Sequence, residues 1–134
     1  MPNFDCVGRD GVTRTFRYEY DKDQFQDEWN FRVFSVPAPA SGEFFDLSVA
    51  KIVDDMVRVI AVAHHNEPAY VAKGIPEALL PIVKQVLNKQ VISSPTGGQA
   101  GNVYRTPAAT KVWERLCASG KATYDAPADI FRLA

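Results

Sequence analysis

Between Tyr70 and Leu133 helical and extended segments alternate in an order that leaves few ways to arrange a sheet around them. Gly74-Ile75-Pro76 makes a turn into a helix, a short strand ends at Ser93-Ser94, and a glycine-rich loop follows. A second helix, opened by Arg105-Thr106-Pro107 and closed by Gly120, precedes a terminal pair of strands. A glycine at the mouth of the first helix can bring backbone N–H groups close to a phosphate.

The two helices are read from periodicity and punctuation. Over Pro76 to Asn88, the residues Leu79, Leu80, Val83, Val86 and Leu87 fall on one helical face, with Lys84, Gln85 and Asn88 opposite. Pro76 suits a first turn, whereas Pro81 removes an N–H and crowds the carbonyl of Glu77, so the helix is expected to kink or begin late. Thr106 is the expected cap of the second helix, Pro107 its first residue, and Gly120 its left-handed stop. Ala109, Val112, Trp113, Leu116 and Cys117 form its apolar stripe, which reads Trp113 as core, and Lys111 and Arg115 fall on the solvent side.

The first third reads as strands. Asn3 to Val7 pairs with Val12 to Tyr20 across Gly8-Arg9-Asp10-Gly11, and Trp29 to Val36 alternates with one well-buried face. Pro37 to Gly42 is a stiff connector. Phe44 to His64 fits two templates: strands Phe45 to Val53 and Met56 to Ala63 around Asp54-Asp55, or a helix with Leu47, Ala50, Val53, Val57 and Ile60 on one stripe. Five valines and two isoleucines between Val49 and Val62 favour the hairpin, because β-branched side chains suit a pleated surface. Lys121 to Tyr124 and Ile130 to Leu133 complete the set as a terminal hairpin. The expected fold class is α+β, in no more than three layers. A mostly antiparallel twisted sheet carries two helices from the C-terminal half, and residues 1–134 form one domain.

Charge and composition restrict the function classes. A net charge of −1 supplies no field toward nucleic acid or an anionic membrane. Arg9, Arg14 and Arg17 make a local cationic cluster that neighbouring Asp and Glu offset. The longest apolar-rich stretch, Met56 to Ala63, is too short to span a bilayer, and the amino terminus lacks the pattern of a secretory signal. Cys6 and Cys117 stand far apart with no metal or disulfide spacing, so a reducing cytoplasm is the expected setting. Neighbouring strand residues face opposite ways, so His64-His65 with Glu67 is not read as a metal site. Gly97-Gly98-Gln99-Ala100-Gly101 lacks the Gly-Lys-Ser/Thr ending of a nucleotide loop and reads as a connector.

Lys73-Gly74-Ile75 followed by Leu79-Leu80, a strand ending Ser93-Ser94, and Arg105-Thr106-Pro107-Ala108-Ala109 leading into Val112-Trp113-Glu114-Arg115-Leu116 together resemble the latter part of a GNAT-type N-acyltransferase. Small phage- and prophage-encoded acetyltransferase-like proteins look similar over this part. The resemblance covers roughly residues 56 to 133. It implies a GNAT-like fold, acetyl-CoA as cofactor without a metal, and transfer to a small-molecule or protein amine. In the family the turn before the helix reads Gln/Arg-x-x-Gly-x-Gly/Ala; here those positions are Val71, Gly74 and Pro76, of which only Gly74 fits. The resemblance implies Val62, Ala63, Lys73, Gly74 and Ile75 as cofactor-binding residues. It implies His64 or Glu67 as the base, with His64 preferred if strand alternation turns it inward. Trp113 stands where the family commonly has a tyrosine acid, leaving Tyr104 or Tyr124 for that role. The alternative expectation is a non-catalytic α+β module on this scaffold, recognising a protein or a small ligand. Nothing in the sequence signals an oligomeric state.

Overall fold

Period-2 burial decides the first half of the chain. In the computed structural model, which describes residues 1–96 and 105–134, the strands are β1 (Asn3–Val7), β2 (Thr13–Lys22), β3 (Glu28–Ser35), β4 (Phe45–Val53) and β5 (Met56–Ala63). The second half contributes α1 (Ile75–Leu87), β6 (Gln90–Ile92), α2 (Pro107–Ala118), β7 (Ala122–Asp125) and β8 (Ile130–Leu133). The ambiguous stretch is therefore a hairpin. Phe45, Leu47 and Val49 are buried at every second residue of β4, an alternation that a helix cannot produce.

The strands form one sheet in the order β1-β2-β3-β4-β5-β6-β8-β7. Every junction is antiparallel except β5 with β6, the pair that α1 connects. One face supplies Phe16, Phe31, Val33, Phe45, Leu47, Val49 and Val57 to a core shared with Ile75, Leu79, Leu80 and Val83 of α1 and Trp113 and Leu116 of α2. Full burial of a side chain of this size contributes about 1.5–3 kcal/mol. The molecule thus has two layers, with both helices on one face. Among the described residues no helix covers the other face, where Arg32 reaches Glu19 and Asp21, and Asn30 donates to Ser48. Polar alternation in β2 and β3 is the sequence counterpart of that open face.

The helix ends follow their capping chemistry. The Thr106 hydroxyl accepts from the Ala109 N–H at 3.1 Å, and Gly120 takes a left-handed φ of 76° just beyond α2. The late start that Pro81 allowed does not occur: α1 starts at Ile75, ahead of Pro76, and continues through Pro81. A proline inside a helix costs about 3 kcal/mol. Here it is tolerated because the buried residues on both sides of it, Leu79, Leu80 and Val83, hold that stretch against the sheet. Arg115 also departs from a purely solvent-facing role, because its guanidinium binds Glu77 of α1. The expected connector Gly97-Gly98-Gln99-Ala100-Gly101 and Tyr104 lie outside the described residues.

Candidate ligand cleft

The parallel junction is short, and its ending opens a site. β5 and β6 pair only over Met56, Val57 and Arg58, with partners Gln90, Val91 and Ile92. β6 then turns toward β8, the Ser93 N–H donating to Phe131 at 3.0 Å, while β5 runs on to Ala63 beside β4 alone. The Ser94 hydroxyl donates to the Val59 carbonyl at 2.7 Å, closing the apex where the two strands separate. At the same level the β4–β5 register shifts: Ser48 pairs with Ala61 and Val49 with Val59, leaving Ile60 without a partner. Such a bulge bends a strand and re-aims its residues.

Beyond this apex lies a cleft of about 410 Å³, within the range of small-molecule sites. Val59 and Val62 of β5, Leu80 of α1, and Val112 and Trp113 of α2 give it apolar walls. Val62 and Val71 are exposed apolar side chains on its border. The segment from β5 to α1 forms the rim, and its backbone is unusual. His65, Asn66 and Ala72 all have φ of 56°, and Gly74 has 79°. Left-handed non-glycine residues cost about 1–3 kcal/mol each and persist only where surrounding structure holds them.

The N-terminal hairpin holds one end of that segment. The Arg9 N–H donates to the Ala72 carbonyl at 2.9 Å. A Cβ on Gly74 would sit 2.1 Å from the Val7 carbonyl oxygen, so only glycine allows this approach of β1 to the start of α1. Arg9 and Lys73 both border the cleft, and neither forms an ion pair among the described residues. Glu77 and Arg115, also on the border, neutralise each other at 2.7 Å. The cleft therefore carries uncompensated positive charge on a chain whose net charge is −1.

The expected site residues divide into groups. Val62, Ala63, His64, Lys73 and Gly74 border the cleft. Ile75 is fully buried and belongs to the core. His64 is exposed, just past the end of β5, and its Nδ1 accepts from the Asn66 N–H at 3.0 Å. In the neutral ring that bond puts the proton on Nε2. Glu67 accepts from Ser41 at 2.6 Å and from the Ala69 N–H at 3.0 Å, bonds that hold its carboxyl below its usual range.

Tyr124 is elsewhere. Its hydroxyl donates to Asp129 at 2.8 Å, within a network where Arg105 also binds Asp129 and lies over the Phe131 ring. The Asp129 bond and charge push the Tyr124 phenol above its ordinary value. Trp113 is buried and stacked on Phe131, with ring centroids 5.9 Å apart, yet it also forms part of the cleft wall.

Two further features complete the site's surroundings. His65 bonds Asp46 at 2.9 Å and packs edge-on to Phe44, residues on the opposite side of β4 from the buried Phe45 and Leu47. Its ring is thus anchored at the margin of the cleft. Arg9 is one of the border residues that sequence reasoning did not assign to the site; its position at a Gly-Arg-Asp-Gly hairpin tip was visible, but the docking of that tip on Ala72 was not. No group of three or more potential metal ligands occurs among the described residues, and no described helix is long and apolar enough to cross a membrane. Comparison with protein-family models, with curated proteins and with solved structures found no match to this chain.

Proposed function

We propose that this chain is a GNAT-like protein that binds acetyl-CoA in the cleft between β5 and β6 and transfers the acyl group to an amine. The C–N bond forms as the thioester C–S bond breaks, and coenzyme A leaves as the thiol with the amine's proton. The observation that carries the reading is the cleft itself. Two parallel strands part after three residue pairs, next to the start of α1, and the opening combines apolar walls with Arg9 and Lys73, which form no ion pair among the described residues. That combination suits a ligand with an anionic end and a long, weakly polar arm. The strand order β5-β6-β8-β7, with its single parallel junction, supports the same reading, because the family resemblance covers the residues that form it.

Acetyl-CoA would supply an acyl group activated as a thioester. On the protein side, Arg9 and Lys73 would hold phosphate oxygens, Val59, Val62 and Trp113 would shield the arm from water, and the His64 Nε2–H would donate to a polar ligand group. A reducing cytoplasm fits the two free thiols as the setting.

A second reading, a binding module without catalysis, has its own observation. Glu67 is held by Ser41 and Ala69, His64 by Asn66, and Tyr124 by Asp129, so each of the three is already engaged in a hydrogen bond outside the cleft's apolar walls. Calorimetric titration with acetyl-CoA, with adenosine as control, tests the proposal. Saturable acetyl-CoA binding followed by acetylation within a panel of primary amines supports the transferase. Saturable binding without turnover selects the second reading, and no heat at millimolar acetyl-CoA removes the cofactor from the account.

A further inference from the structure

We infer that the N-terminal hairpin is a working part of the cleft, and that Arg9 at its tip, with Lys73, clamps the phosphate groups of the bound ligand. This inference rests on the thioester reading for the identity of the ligand but on separate observations for the clamp.

The first observation is why Arg9 is free. Its neighbour Asp10 is the obvious partner, but both carboxylate oxygens are taken: Oδ1 by the Val12 N–H at 3.0 Å and Arg14 at 3.2 Å, Oδ2 by Arg14 at 2.8 Å. Arg14 thereby satisfies Asp10 and leaves the Arg9 guanidinium exposed without an ion pair. The second is how the tip is held. Gly8 donates to Val12 at 2.9 Å and Gly11 to Gly8 at 2.9 Å, which fixes the turn, and the Arg9 N–H bond to Ala72 fixes the turn against the cleft rim. Ala72 directly precedes Lys73, so the docking brings two cations to one border from segments more than sixty residues apart in sequence.

The third is close packing beneath them. Space for a Cβ is missing at Gly74 because of Val7, and at Gly8 the Ala72 carbonyl would be 3.3 Å away. The hairpin is thus seated against the β5–α1 segment at two places. An arginine fork and a lysine point charge on the border of one cleft suit a di- or polyphosphate better than a single carboxylate. The hairpin therefore sets the specificity for a phosphorylated ligand.

The test is calorimetry on the full chain and on Arg9→Ala and Arg9→Glu, each titrated with coenzyme A, ADP and pantetheine. Arg9 makes no side-chain bond among the described residues, so both variants should melt with the wild type. Arg9→Ala should weaken coenzyme A and ADP by about ten- to a hundredfold, with Arg9→Glu weaker still and pantetheine unchanged. Added salt should reduce coenzyme A affinity more in the wild type than in Arg9→Ala. Coenzyme A binding equally well to Arg9→Ala and wild type would overturn the clamp, as would a parallel loss of pantetheine. ADP binding that depends on Arg9, without any pantetheine binding, would keep the clamp and remove the thioester reading. No binding of any of the three would overturn both.

Discussion

Gly74 shows how a single residue serves the architecture and the site together. Its φ of 79° and the Val7 carbonyl, 2.1 Å from where a Cβ would stand, exclude any side chain. Gly74→Ala is therefore expected to destabilise the fold by about 3–5 kcal/mol, read as a lower urea midpoint at unchanged m-value. A loss below about 1 kcal/mol would mean that β1 does not press on α1 as described. The sequence marked Gly74 as special through its position before Pro76, but not that Val7 was the cause, because that contact joins residues far apart in the chain. Asp129 makes a residue-scale prediction for pH. Bonds from Thr96, first through its side chain and then its backbone N–H, and then from Arg105 and Tyr124, hold its carboxyl well below the usual carboxylate range. A depressed carboxylate stabilises the fold above the unfolded pKa, and that stability is lost as pH falls toward the folded value. Thermal melts from pH 6 down to pH 2 should show a decline setting in below about pH 4 that is smaller in Asp129→Asn. Identical declines would show that Asp129 is not linked to folding.

Among the elements, local chemistry was legible where a helix end or a hairpin declared itself. Thr106, Pro107 and Gly120 delimited α2, and Asp54-Asp55 with β-branched flanks delimited β4 and β5. Pro81 did not delay the start of α1, because its local cost is outweighed by tertiary burial of the α1 face, which no window of α1 alone contains. The same holds for Arg115, which reaches Glu77 only because the two helices pack on one face. This half-exposed pair joins α1 to α2 at the border of the cleft. A double-mutant cycle on Glu77→Ala and Arg115→Ala should give a coupling of about 0.5–1 kcal/mol. Additive effects would show that the pair does not tie the helices together.

At the scale of the whole molecule, the candidate cleft depends on one topological event. A mostly antiparallel sheet contains one short parallel junction, and the early parting of its strands creates a cleft on the helical face. The order of elements was legible from pattern; the length of the β5–β6 pairing was not, since three residue pairs leave no periodic signature. The charge of the cleft was partly legible: the basic cluster near Arg9 stood out, but which cation remained unpaired depends on Arg14 taking Asp10. The most direct test of the central claim is an amide-resolved NMR titration of the full chain with acetyl-CoA. Binding in the cleft should give saturable shifts concentrated at Arg9, Val62 to His64, Val71 to Glu77 and Trp113. Shifts confined to the open sheet face, or none at millimolar ligand, would contradict it.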